Sequence, residues 1–182
     1  MKALIAIANG IEEMETVVTQ DLLVRAGIDV WLVSVEGLTV TAARGLALTA
    51  QKTIDQCQDE EFDIIICPGG LPGAENLRDS ELLTQLLRNQ HKKHKWIGAI
   101  CASPAYVLAH HGLLVDHVAT CYPGNEESIP HYDHKPVVTS GHIITSQGPG
   151  TAMAFALEII SKLKGDVVAR EVAATALITP IS

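Results

Sequence analysis

The stretch Ile97–Leu108, I-G-A-I-C-A-S-P-A-Y-V-L, decides how the rest of the chain is read. Trp96 to Ile100 is short, apolar and β-compatible, and Ala105, Val107 and Leu108 begin a helix-like segment. Pro104 suits a first helical turn, where a missing N–H leaves no bond unmade. Cys101 is thereby predicted on a sharp strand-to-helix turn among small residues, Gly98, Ala99, Ala102 and Ser103. A nucleophile elbow needs that arrangement, because it exposes a side chain at a strand end and turns backbone N–H groups toward it. The positive end of the following helix would favour thiolate over thiol. On these residues alone, Cys101 is either such a nucleophile or a buried apolar cysteine at a tight turn.

Working outward, the flanking segments alternate between buried-type strands and helices. Ala3–Ala8 is a continuous apolar run, the pattern of a strand covered on both faces, and Asn9-Gly10 ends it. Met14, Val17, Val18, Leu22 and Ala26 recur at helical spacing before Gly27. Val30–Val35 is a second strand, Gly37–Leu48 a hairpin turning at Arg44-Gly45, and Phe62–Cys67 a third core strand stopped by Pro68-Gly69-Gly70. Asp79-Ser80 caps a helix with Leu82, Leu83, Leu86 and Leu87 on one face. After the elbow, Val118–Thr120 is a short strand candidate and Asn125–Lys135 a polar surface excursion. Val137–Thr139 and His142–Thr145 bracket a tight turn at Ser140-Gly141. In the helix opened by Gly148–Thr151, Ala152, Phe155, Ala156, Ile159, Ile160 and Leu163 fit the i, i+3, i+4 template, and Val167–Ile178 is read as a last helix. The pattern predicts an α/β fold, a three-layer α/β/α sandwich with a mostly parallel central sheet, as a single domain over residues 1–182. Ligands bind such folds beyond the carboxyl ends of the strands. Asn9–Glu15, Pro68–Gly73 and Cys101–Pro104 should therefore converge.

Composition narrows the function classes. The net charge is −8 and the basic residues Lys92, Lys93 and Lys95 are interleaved with His91 and His94 at a helix end, which argues against nucleic acid and anionic membrane as partners. No apolar run reaches the length of a membrane span, and the chain enters a strand at Lys2, so a cytoplasmic protein is expected. Cys57, Cys67, Cys101 and Cys121 match no zinc or C-x-x-C spacing and are expected as reduced thiols. His91/His94 and His131/His134 fall in polar segments and are expected in solvated or structural roles, so no metal and no cofactor is expected.

At the predicted crevice, each of Glu12, Glu13 and Glu15 is either an exposed partner of a helix dipole or a carboxyl held against the thiol. In the second case burial raises its pKa and lets it donate a proton. Gly69-Gly70 is either an ordinary turn or a backbone donor set for an oxyanion, and Arg44 either an anion anchor or a surface ion pair.

E-E-M-E-T at Glu12–Thr16, D-I-I-I-C-P-G-G at Asp63–Gly70, A-I-C-A-S-P at Ala99–Pro104 and T-S-Q-G-P-G-T at Thr145–Thr151 together resemble the ThiJ/PfpI superfamily. Within it they resemble the branch of the parkinsonism-associated redox protein and its bacterial relatives. The resemblance runs nearly end to end and implies a flavodoxin-like sandwich and a homodimer. It further implies that Cys101 is a low-pKa nucleophile, Glu15 its protonated partner, and the N–H groups of Gly70 and Ala102 an oxyanion site. Two departures stand out. Tyr122 replaces a histidine of many branch members, removing an imidazole base, although a phenol still offers substrate a hydrogen bond. Ala102 follows the nucleophile where the peptidase members have a histidine, which argues against proteolysis. The function implied is a cysteine-dependent enzyme acting on α-oxoaldehydes or glycated protein side chains, a glyoxalase or deglycase of carbonyl and oxidative stress defence. A non-enzymatic redox sensor or chaperone, using oxidation of Cys101, is the alternative.

Overall fold

In the computed structural model, which describes residues 1–179, the apolar runs become the centre of a seven-stranded sheet. β1 (Lys2–Ile7) and, later in the chain, β6 (Ile64–Cys67) and β7 (Trp96–Ile100) are buried almost throughout, as strands covered on both faces must be. With β2 (Asp29–Ser34), β5 (Lys52–Thr53), β10 (Val137–Ser140) and β11 (Ile143–Ser146) the sheet order is β10-β11-β7-β6-β1-β2-β5. Every pairing is parallel except β10 with β11, the hairpin expected around Ser140-Gly141. Between β2 and β5, β3 (Thr39–Thr41) and β4 (Ala47–Thr49) form the other expected hairpin.

α1 (Glu13–Arg25), α4 (Ala152–Lys164) and α5 (Asp166–Thr175) pack together on one face of the sheet. α2 (Gly73–Asp79), α3 (Glu81–Lys92) and a one-turn π-helix, Pro104–Ala109, occupy the other. The fold is the flavodoxin-like α/β sandwich. Successive connections leave β1 in opposite directions, toward β2 on one side and β6 on the other, so a crevice opens above the β1/β6 boundary. The three loops expected to converge sit there.

All six predicted apolar positions of α4 are buried, and Ser80 caps α3 by accepting from the Leu83 N–H at 3.3 Å. α1 departs from expectation. Leu22 and Ala26 are buried, but Met14 and Val17 face solvent, and the inward face begins with Glu15, Thr16 and Thr19. Its upper turns face the crevice, where Thr16 Oγ1 donates to the Glu12 carbonyl and Glu15 Oε2 accepts from the Gly69 N–H, and only its lower turns meet the apolar core. Three further corrections are local. α2 fills a stretch to which the sequence pattern assigns no element, burying Ala74 and Leu77 at i, i+3 spacing despite its opening glycine. Within the Asn125–Lys135 excursion, β9 (His131–Tyr132) pairs with β8 (Val118–Ala119), and Ile129 is buried. The last helix stops at Thr175, where Ala176 caps it and Leu177 adopts φ 55°, short of the expected Ile178.

Gly98 lets α4 lie close on β7: a Cβ there would stand 3.0 Å from Phe155 Cζ and 3.3 Å from an Ile66 side-chain carbon. Gly98→Ala should therefore destabilise the fold by about 1–3 kcal/mol through overpacking, measured as a lower urea midpoint with unchanged slope. A midpoint at or above that of the wild type would contradict this account of the α4–β7 contact.

Candidate active site

Cys101 follows the last residue of β7 and has φ 64°, a left-handed conformation rare for a residue with a side chain. Its N–H binds the Ser146 carbonyl at 3.0 Å and its carbonyl accepts from the Tyr122 N–H at 2.7 Å, so the elbow is held from both sides. Only 8% of the residue is exposed. The tight placement depends on Gly69, where a Cβ would stand 2.5 Å from Cys101 Cβ and 3.0 Å from Sγ. The three predicted loops do converge. The Glu12 N–H binds the Gly69 carbonyl at 2.8 Å, the Ser103 hydroxyl donates to the Pro68 carbonyl, and a Cβ on Gly70 would meet Gly10 O at 2.5 Å. The β3–β4 hairpin docks on the same loop through Gly10 N–H to Thr41 O and Ala43 N–H to Ile11 O, each 2.8 Å.

Glu15, in the first turn of α1, lies beneath the crevice and is fully buried. Its Oε2 accepts from the Gly69 N–H at 2.7 Å, while Oε1 is buried without a hydrogen-bond partner among the described residues. Burial pushes the carboxyl up to about 7, against the lowering effects of Gly69 N–H and the Cys101 side chain, with Glu12 adding a further upward push. The Cys101 thiol is pushed up to about 12, first by burial and then by the charge of Glu15, while the N–H groups of Gly70 and Ala102 act in the opposite direction. Beside an ionised Glu15, then, Cys101 holds its proton as a thiol. Each anion disfavours the other, so near neutral pH the pair carries no more than one negative charge.

Around the sulfur lies an open cavity of about 360 Å³, lined by Gly70, Ala102, Tyr122 and Arg44 together with Glu12, Leu71, Asn125 and Pro149. All five predicted residues other than Glu15 are thus on its wall, and Glu15 approaches the sulfur from below. Tyr122 is half exposed, its ring packed by the bare Gly148. The Arg44 side chain is largely exposed at the rim, with Nη2 3.8 Å from Glu12 Oε2. Glu12 was not separable from its neighbours by composition. It is buried and cavity-facing because it precedes the helix in extended backbone, φ −77° and ψ 114°, and is aimed back into the crevice. Asn125 and Pro149 carried no signal, since their loops reach the site only through the packing of β8 and β11.

A second cluster lies away from this cavity. His91, His117 and His142 each place a ring nitrogen within 4.8 Å of the others, and His91 is half-buried. Burial and the neighbouring imidazoles push His142 down to about 4 and lower His91. Among the described residues, no helix is long and apolar enough to cross a membrane.

The model of the DJ-1/PfpI family matches residues 1–162. The chain belongs to that family. It is 39% identical to the dj-1beta protein of Drosophila melanogaster over 176 residues, 94% of each chain. It is also 39% identical to the glutathione-independent glyoxalase DJR-1.2 of Caenorhabditis elegans, over 85% of this chain and 83% of that one. DJ-1 homolog B of Arabidopsis thaliana is 42% identical, and there the chain spans only 38% of the relative's length. Among solved structures, oxidised DJ-1 of Toxoplasma gondii superposes with a TM-score of 0.95 at 41% identity, covering 97% of both chains.

The buried carboxyl makes a prediction about stability. From the ordinary value of 4.5 to about 7, the unfolded chain gives up a proton that native Glu15 retains, so its contribution to stability falls as pH rises through that window. The loss is on the order of 3 kcal/mol. His142, lowered to about 4, acts with the opposite sign over an overlapping window, so the Glu15 part is read as a difference between proteins. Relative to the wild type, Glu15→Gln should gain stability between pH 5 and pH 8 in urea denaturation. Parallel pH profiles for the two proteins would contradict the raised carboxyl.

Proposed function

We propose that the protein is a cysteine-dependent enzyme acting on small α-oxoaldehydes, converting methylglyoxal to lactate without an added thiol, or removing the same group from glycated side chains. The observation that carries this is the buried carboxyl oxygen of Glu15, without a hydrogen-bond partner, beside the sulfur of an elbow cysteine that opens on a cavity. A proton on Oε1 would fill that gap. It removes the Glu15 charge that pushes the thiol up and leaves the Gly70 and Ala102 N–H groups to favour thiolate. The glyoxalase name of the Caenorhabditis elegans relative supports the same class of chemistry.

In this mechanism the Cys101 sulfur forms a bond to the aldehyde carbon, and the aldehyde oxygen is protonated, giving a hemithioacetal. The Glu15 carboxylate takes the hydrogen from that carbon as a proton and returns it to the neighbouring carbonyl carbon, while the proton of the hemithioacetal hydroxyl passes to the neighbouring oxygen. The first carbon is thereby oxidised and the second reduced, with no external oxidant, leaving a lactoyl thioester. Water then cleaves the carbon–sulfur bond, releasing lactate and restoring the thiol. Gly70 and Ala102 N–H groups hold the developing oxyanion, Tyr122 hydrogen-bonds a substrate oxygen, and Arg44 sits at the mouth beside Glu12.

Wild-type protein should form lactate from methylglyoxal in the absence of glutathione, and Cys101→Ala should abolish it. Glu15→Gln should keep iodoacetamide reactivity at Cys101 yet lose turnover by at least about a hundredfold, the range for a missing acid–base group. Tyr122→Phe should cost no more than about tenfold, one hydrogen bond. Full turnover in Glu15→Gln would refute the proton-transfer role, and turnover by Cys101→Ala would refute the nucleophile.

The same pairing suits a second role, since a protonated Glu15 would hydrogen-bond a Cys101 sulfinate as well as a thiolate. A protein that takes up two oxygens at Cys101 under mild peroxide, and shows no aldehyde turnover, would be a redox-responsive protector instead. We further propose a homodimer formed through α1 and the β3–β4 hairpin, where Met14, Val17, Val24, Leu38 and Leu46 are all about half exposed. Sedimentation at micromolar concentration should give twice the chain mass.

A further inference from the structure

We infer that His91, His117 and His142 form a binding site for a divalent transition-metal ion of the Zn²⁺ type. The three residues come from separate segments: His91 from the last turn of α3, His117 from the approach to β8, and His142 from the turn that starts β11. One ring nitrogen of each lies within 4.8 Å of the other two. Tetrahedral zinc with Zn–N bonds of about 2.0–2.1 Å needs nitrogens about 3.3 Å apart. His142 Nε2 and His91 Nδ1 are already 3.0 Å apart, so ring rotations on the order of 1 Å at His117 complete the set.

The surroundings are those of a ligand site. His117 donates Nδ1–H to the Ser140 carbonyl at 2.9 Å, which fixes its tautomer and leaves Nε2 as the ligand. A Cβ on Gly141 would stand 2.9 Å from His117 Cε1, so the bare glycine makes room for that ring. The β10–β11 turn thus supplies an orienting carbonyl, a gap and, in His142, a ligand from three consecutive residues. His91 lies at the C-terminal end of α3, where the helix carbonyls favour a cation. In the ion-free protein His91 Nδ1 and His142 Nε2 share a proton. On binding, that proton moves to the far nitrogen of its own ring and both lone pairs turn to the metal, with no net proton released from neutral imidazoles. A water completes the coordination, with the His94 ring nearby, its centroid 5.2 Å from that of His142. This site is separate from the cysteine. The Ile97 N–H, at the start of β7, binds the His142 carbonyl at 2.9 Å, whereas Cys101 follows the other end of the strand. Four residues of strand separate them, about 13 Å.

The test is Zn²⁺ titration against a chromophoric chelator, with Co²⁺ spectra in parallel. Wild type and Cys101→Ala should each take up one equivalent of Zn²⁺, and Co²⁺ should give ligand-field absorption without a thiolate charge-transfer band. His117→Gln and His91→Gln should each weaken Zn²⁺ binding at least about tenfold, with cooperative unfolding retained. If a variant fails to fold, the wild-type Co²⁺ spectrum still decides. No stoichiometric uptake, a thiolate band, or unchanged affinity in both histidine variants would overturn the site.

Discussion

Room for no more than one negative charge between two buried groups is the constraint on which this structure turns. A carboxyl with no exposed surface and a thiol with almost none cannot both ionise, because each anion raises the other and neither has water to stabilise it. The fold is arranged to hold that single charge without expelling it. Gly69 gives its N–H to one carboxyl oxygen, and the missing side chains at Gly69 and Gly70 let three loops close over the pair. The left-handed backbone at Cys101 and the polar upper half of α1 follow from the same requirement. A helix packed by apolar residues along its whole inward face could not have delivered Glu15 to the sulfur.

The sheet supplies what the pair cannot provide for itself, which is rigidity. β1, β6 and β7 are adjacent, parallel and buried, so the loops at their carboxyl ends leave from fixed points. The crossing of connections at β1 opens a crevice where loops can meet without competing for one space. Cys101 is then held by neighbours on β11 and beyond β8, both far away in sequence. Mobility of Cys101 is limited by hydrogen bonds from two separate segments, the preorganisation that the proposed chemistry requires.

Much of this was legible in the chain. Continuous apolar runs marked the central strands because burial on both faces leaves no polar alternation to obscure them. The α4 face was readable residue by residue, from Ala152 to Leu163, because that helix meets only the sheet and other helices. Cys101 and Glu15 were reachable from strand–turn–helix grammar and from family motifs. The periodicity of α1 misled because the crevice reverses the usual rule, burying Glu15, Thr16 and Thr19 and exposing Met14 and Val17. Glu12, Asn125 and Pro149 reach the cavity through tertiary packing that no local pattern encodes. The histidine cluster was invisible for the same reason, since its members are separated by 26 and 25 residues and meet only when β11 docks beside β7.

The two outer strands carry a last consequence. On one side β5 is only Lys52–Thr53, and on the other β10 runs antiparallel to its neighbour and ends in the tight Ser140-Gly141 turn. A two-residue strand with a lysine offers little backbone for another chain to copy, which is how natural sheets discourage templated growth. Further copies of the chain thus gain little from main-chain hydrogen bonding at that margin. Recognition between molecules falls instead to side chains on helices and loops, where sequence can change it one residue at a time while the ladder of the sheet stays as it is.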